Sequence, residues 1–135
     1  MSIVQVWERL FIGTIGDAEA LADSNPHGIT TVVTLCPEAV PEEVHGIHHR
    51  YLPMLGNRPL LACMFAEFIA VMFVNIRSGK VLIHSLAGAN RSPIMAAAWM
   101  DTVGYKDIDA ALAEIGTLRT IEPNPTLLSS IKELL

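Results

Sequence analysis

The densest chemistry in this chain runs from His84 to Pro93, as His84-Ser85-Leu86-Ala87-Gly88-Ala89-Asn90-Arg91-Ser92-Pro93. An apolar run, Val81-Leu82-Ile83, enters the segment, and an Ala-rich stretch from Ile94 to Met100 leaves it. A strand, a small-residue loop and a helix N-terminus in that order make an anion cradle. Backbone N–H groups of such a loop point inward, and the helix dipole adds positive potential at the same place. Arg91 supplies a bidentate fork suited to phosphate oxygens. Gly88 lets the backbone come close to the anion. Ser85 is a weak nucleophile, because a serine hydroxyl keeps its proton at neutral pH unless a general base takes it. His84 is adjacent, but neighbouring strand side chains point to opposite faces, so it is badly placed to be that base.

The surrounding pattern supplies the elements that would hold this loop. Ile3 to Trp7 and Leu10 to Gly13 read as short strands, and Asp17 to Ala22 as a short helix broken by Ser24 to Gly28. Ile29 to Leu35 is a β-branched run suited to a buried parallel strand. Pro37 to Val44 reads as an acidic loop, and Ile47 to Leu52 as a strand that Pro53 ends. Leu60 to Arg77 is an apolar helix, stopped by Ser78-Gly79, with Lys80 to Ile83 as the central strand. Helices are predicted at Ser92 to Val103, Ile108 to Ile115 and Thr126 to Leu134, with Asp107 and Asn124-Pro125 at two of their starts. Strands alternating with helices predict an α/β fold: a mostly parallel sheet of about four to five strands with helices on both faces. No repeat or linker divides the 135 residues, so residues 1–135 read as one domain.

The loop resembles the H-C-x-x-G-x-x-R-S/T signature of the cysteine-dependent protein tyrosine and dual-specificity phosphatases, with Ser85 where that family carries its nucleophilic cysteine. The flanks are similar too. Leu10-Phe11-Ile12-Gly13 with Asp17-Ala18 looks like the opening of dual-specificity domains, and Gly28 to Leu35 like their next strand. Asp109-Ala110, Arg119 and Ile121-Glu122-Pro123-Asn124 resemble the helical tail. The resemblance implies a domain that hydrolyses phosphomonoesters through a cysteinyl-phosphate, phosphotyrosine first and phosphoserine or phosphothreonine in a shallow pocket. It implies that residues Ser85, Leu86, Ala87, Gly88, Ala89, Asn90 and Arg91 bind phosphate and that Arg91 stabilises transition-state charge. His84 then holds the loop, and Ser92 assists breakdown of the phosphoenzyme. No metal or cofactor is implied. A sulfur-transfer domain of the rhodanese kind is the weaker reading, disfavoured by the Arg91-Ser92 pair.

Two departures bear on activity. Ser85 removes the thiolate and with it a negative charge facing a phosphate dianion, so binding is expected to persist while turnover is lost. An engineered trapping substitution and a natural pseudophosphatase that acts as a phosphate-recognising module both account for it; the intact Arg91 and Ser92 favour the first. The second departure weakens that preference. The family's general-acid loop corresponds to Tyr51 to Pro59, which holds no Asp or Glu; Asn57 lies in it and cannot protonate a leaving oxygen. Glu42 or Glu43 on the earlier loop would have to reach in.

Other features read as structural. His45, His48 and His49 diverge along a strand and do not suggest a metal site. Met64, Met72, Met95 and Met100 read as core filler, Trp7 and Trp99 as packing. Arg119 is assigned to the pocket rim or to anchoring the C-terminal helices, and Arg58 to meeting a charge that flanks the substrate. The net charge of −5 argues against a nucleic-acid partner. Leu86, Ala87, Ala89 and Asn90 add no charge for polyphosphorylated lipids. Cys36 and Cys63 lie in apolar surroundings and read as buried free thiols of a reducing, cytoplasmic compartment, with a disulfide as the alternative. Met1 to Val6 does not look like a signal peptide. Leu60 to Ile76 approaches spanning length but carries Glu67, so it is read as a buried helix and not a membrane span. The expected partners are a phosphoprotein, a small phosphomonoester or inorganic phosphate, with the chain as a monomer.

Overall fold

The computed structural model describes residues 3–135. Its elements run β1 (Val4–Trp7), β2 (Leu10–Gly13), α1 (Ile15–Ala20), β3 (Ile29–Thr34), β4 (His48–Tyr51), α2 (Ala62–Ser78), β5 (Lys80–His84), α3 (Arg91–Thr102), α4 (Ile108–Leu118) and α5 (Pro125–Leu134). One five-stranded sheet has the order β1-β2-β5-β3-β4. Only β1–β2 is antiparallel; β2–β5, β5–β3 and β3–β4 are parallel. The predicted mostly parallel α/β sheet is therefore present.

Strand alternation sorts the core onto two faces. Leu10, Ile12, Val33, Val81 and Ile83 join α2, α3, α4 and α5 in the larger cluster. Phe11, Val32 and Leu82 point the other way, to Ala18 and Leu21 of the α1 segment. The faces are unequal: four helices cover one and a single short helix the other. That helix is fixed by a capping box, in which Asp17 N–H donates to the Thr14 hydroxyl and Thr14 N–H to the Asp17 carboxylate.

β5 and α3, which flank the loop, are closely enclosed. Val81 to His84 are buried, and every residue of α3 from Ser92 to Met100 is buried. Alanines at 96, 97 and 98 let α3 lie close against the sheet. Burial of a side chain such as Ile94 or Met95 contributes roughly 1.5–3 kcal/mol.

α2 departs from its expected burial. It starts at Ala62, and only Phe65, Phe68, Met72, Asn75 and Ile76 are buried. Phe73 and Val74 are largely exposed, and Glu67 lies on the solvent side. Cys63 is exposed on the same helix, which corrects its reading as a buried thiol; Cys36 is buried, and both are free. Asn75, the helix's inward polar residue, donates to the Val71 carbonyl and accepts from the Thr31 hydroxyl. Among the described residues no helix is long and apolar enough to cross a membrane.

Candidate functional site

β5 ends at His84, between β2 and β3, and its paired residues Gly13 and Thr34 bring the ends of both neighbours level with it. The chain then curls through Ser85 to Asn90 before α3 begins. The curl depends on Gly88, whose φ is +71°. A Cβ there would lie 2.8 Å from the Gly13 carbonyl oxygen, so neither the conformation nor the space admits a side chain.

The loop's carbonyl groups are occupied on its outer side. Ser85 O accepts from the His84 ring at 3.2 Å, Leu86 O from Ile15 N–H at 3.3 Å, Ala89 O from Glu122 N–H at 2.7 Å and Asn90 O from Ile94 N–H at 3.1 Å. In a trans peptide the N–H of the next residue points opposite to the carbonyl. Turning these carbonyls outward therefore turns the N–H groups of Leu86, Ala87, Asn90 and Arg91 inward. α3 has no side-chain cap, so its first-turn N–H groups add to the same inward-facing set. The Asn90 side chain is used elsewhere: Nδ2 donates to Gly56 O at 2.8 Å, and Oδ1 accepts from Asn124 N–H at 2.7 Å.

These groups surround an open cavity of about 630 Å³. Ser85, Leu86, Ala87, Gly88, Ala89, Asn90 and Arg91 line it, facing Leu55, Gly56 and Asn57 across the mouth, with Pro37, Glu38 and Asn124 completing the rim. Asn57 thus lies on the cavity wall. Glu42 and Glu43 are exposed and are not among the lining residues.

His84 is fully buried. Its Nδ1–H donates to Ser85 O and its Nε2 accepts from the Thr34 hydroxyl at 2.7 Å. Burial holds its pKa below the usual histidine value, so the ring is neutral. Both nitrogens are committed away from the Ser85 hydroxyl. Ser85 Oγ instead donates to Ser92 Oγ across 3.4 Å.

Glu38 is the site residue that sequence reasoning passed over. Arg91 Nη1 and Nη2 each donate to its carboxylate at 2.8 Å, and Nη1 also donates to Met54 O at 3.1 Å. The hydrogen bonds from Arg91 hold the Glu38 carboxyl below the ordinary carboxylate range and keep Arg91 charged. The terminal edge of the guanidinium is anchored by these contacts, while its Nε edge carries no described partner. Glu38 is the one carboxylate lining the cavity, and its ionisation makes it a poor proton donor.

Arg119 is buried behind the loop, with Nη2 3.3 Å from where a Cβ on Gly88 would lie. Among the described residues its Nε and Nη1 have no acceptor. A cation so placed raises the potential of the cradle. Arg58 is exposed beyond the mouth. His48 is exposed, and His49 accepts from Val44 N–H. No group of three or more metal-ligating side chains occurs among the described residues.

No family model and no curated protein matches the chain. Solved structures do. A point variant of human DUSP28 superposes with a TM-score of 0.89 at 23% identity, covering 99% of this chain and 94% of that one. A mouse protein described as a dual specificity phosphatase and complexed with zinc tungstate gives 0.86 at 21% identity, covering 98% and 85%. Human tyrosine phosphatase-like serine/threonine/tyrosine-interacting protein gives 0.81 at 21% identity, covering 98% and 94%. At these identities the likeness establishes the fold: this chain has the architecture of the dual-specificity phosphatase structures.

Proposed function

We propose that residues 1–135 form one phosphatase-type domain that binds a phosphomonoester, phosphotyrosine first, on the loop from Ser85 to Arg91 and releases it uncleaved. The observation that carries this reading is the outward commitment of the loop carbonyls, which leaves converging N–H groups, an uncapped helix terminus and Arg91 around one cavity. A dianion is matched there by charge-assisted hydrogen bonds. The tungstate in the mouse structure of the same fold is an oxyanion of this kind.

The serine explains the lack of turnover. For hydrolysis, a nucleophile must form a bond to phosphorus while the ester P–O bond breaks and the leaving oxygen takes a proton; water then releases phosphate. Ser85 has no base within reach, because the neutral His84 ring is bonded to Thr34 and to Ser85 O. With cysteine at 85, the inward N–H groups and helix dipole favour a thiolate, and Arg91 meets the equatorial charge. Glu38, on the cavity rim, anchors the terminal edge of the Arg91 guanidinium. Ser92 is the hydroxyl beside the nucleophile position and is assigned to breakdown of the phosphoenzyme.

A second reading, a native phosphate-recognising module, is favoured by Asn57 on the cavity wall and by an ionised Glu38 as the single lining carboxylate. Nucleophile and acid are then both absent. The free thiols fit a reducing compartment, and phosphoproteins or small phosphomonoesters are the ligand classes proposed.

Calorimetric titration with inorganic phosphate and tungstate tests the cradle: both bind, and Arg91→Ala weakens them by about 10- to 100-fold. Turnover tests the nucleophile. Ser85→Cys raises hydrolysis of p-nitrophenyl phosphate by on the order of 10³-fold or more. Equal rates for the two forms would exclude this account.

A further inference from the structure

Next to the phosphate cradle lies a second concavity of about 370 Å³, and the two share Pro37 and Leu55 on their common rim. Its floor and walls are apolar: Met54, Leu55, Leu61 and Met64 are among the lining residues, and Arg58 is the charged one. Leu61 is 62% exposed and Leu55 50% exposed, large apolar side chains left uncovered among the described residues. We infer that this shelf is a specificity subsite for an apolar residue flanking the phosphorylated residue of a phosphopeptide, with Arg58 meeting a neighbouring carboxylate. This rests on the reading of the adjoining loop as a phosphate site.

Three observations carry it. The first is physical continuity. Met54 floors the shelf, and its carbonyl accepts from Arg91 of the cradle at 3.1 Å. A ligand with its phosphate on Arg91 therefore presents what surrounds the phosphate to the shelf. The second is preorganisation. Leu60 N–H donates to the Ser130 hydroxyl at 2.9 Å, and Met54 N–H donates to Leu35 O at 2.9 Å, so the backbone on both sides of the shelf is fixed to α5 and to the end of β3. A groove that does not need ordering loses less on binding. The third is charge. Arg58 is exposed and makes no ion pair among the described residues.

A phospholipid offers the same pairing of phosphate and apolar group, but the charges around the mouth favour a peptide. An anionic bilayer is met by clustered Lys and Arg. Here the mouth carries Glu38, the loop after β3 adds Glu42 and Glu43, the cradle loop has no lysine, and the net charge is −5.

Because Ser85 leaves the ligand intact, affinity can be read at equilibrium. Fluorescent phosphotyrosine peptides, alanine elsewhere, would carry leucine at each of the three positions on either side, beside inorganic phosphate and vesicles of phosphatidic acid in phosphatidylcholine. Leucine at one of these positions tightens binding about tenfold over the all-alanine peptide. On Leu61→Ser that gain shrinks to about twofold or less, while phosphate affinity stays unchanged and Tm does not fall, because position 61 is the N-cap of α2 and serine can cap it. A glutamate beside that leucine adds about two- to threefold, and Arg58→Gln removes it. If no position gains, or the gain survives Leu61→Ser, the shelf is not this subsite. If phosphatidic acid vesicles bind more tightly than the best peptide and lose that binding in Leu61→Ser, the occupant is a lipid and the inference is wrong. Failure of inorganic phosphate and of the all-alanine phosphopeptide to bind overturns the cradle reading and this one together, whereas binding without position dependence overturns this one alone.

Discussion

Two loops face each other across the cavity, the cradle from Ser85 to Asn90 and the strand-to-helix connection that holds Leu55, Gly56 and Asn57. The cradle is held on its outer side by contacts from His84, Ile15, Glu122 and α3, and Gly88 is pressed against the β2 backbone. The connection is tied through Met54 and Gly56 but leaves Leu55 and Asn57 open to solvent. Positioning is thus complete on one side, and the chemistry expected of the other side is missing. Binding an anion requires only the first loop. Cleaving an ester with a poor leaving group requires both.

The largest effect that sharpens this contrast is leaving-group dependence. In a Ser85→Cys background, Asn57→Asp accelerates hydrolysis of alkyl phosphates such as phosphoserine by about 10²-fold or more and leaves p-nitrophenyl phosphate nearly unchanged, since only the alkoxide needs a proton. Steady-state kinetics on the two substrates measure it; equal gains on both would mean that position 57 does not deliver the proton.

Next is the rigidity of the cradle. Gly88→Ala places a Cβ against the Gly13 oxygen at positive φ, with a cost of about 1–3 kcal/mol. Its Tm falls and phosphate affinity drops about tenfold or more. An unchanged affinity would show that the curl at Gly88 is not what aims the N–H groups.

A smaller effect comes from acid. Burial lowers the His84 pKa from its ordinary 6.5, so the unfolded chain takes up that proton first. The stability tied to the neutral ring is present above 6.5 and declines as pH falls below it, toward the lowered folded value. Denaturation midpoints followed from about pH 8 to 5 should show this decline, and His84→Gln should flatten it.

The smallest effect tests the anchor between the loops. The Glu38 pKa lies below its ordinary 4.5 because of Arg91, so the stability it contributes is present above 4.5 and lost as pH drops further. With the carboxylate 43% exposed, the contribution is about 1 kcal/mol or less. Glu38→Gln removes that acid limb in urea titrations, and an acid limb that survives the substitution would mean that the Glu38–Arg91 pair is not its source.

The cradle was legible in the sequence because strand, small-residue loop and helix follow one another without interruption, and local order alone determines where Ser85, Gly88 and Arg91 fall. Glu38 was not legible. It meets Arg91 only because β3 and β5 are parallel neighbours with Thr34 opposite His84, which sets the chain beyond β3 beside the chain beyond β5. Register of that kind is not written in residue types, and three acidic residues on one loop gave no reason to prefer Glu38. The exposure of Cys63, Phe73 and Val74 was hidden for a related reason. Where almost every side chain of α2 is apolar, hydrophobicity no longer marks which face is covered.

The side chain of Asn90 joins Gly56 to Asn124, partners that each lie 34 positions away along the chain, in opposite directions. One amide therefore closes two long loops at once. Each closure costs chain entropy that is recovered only after the strands and helices between the contacts have assembled. Those two bonds belong to the end of folding. The cradle therefore reaches its final shape only when the last helix has docked, and a chain that is still partly folded would not yet present its converging N–H groups.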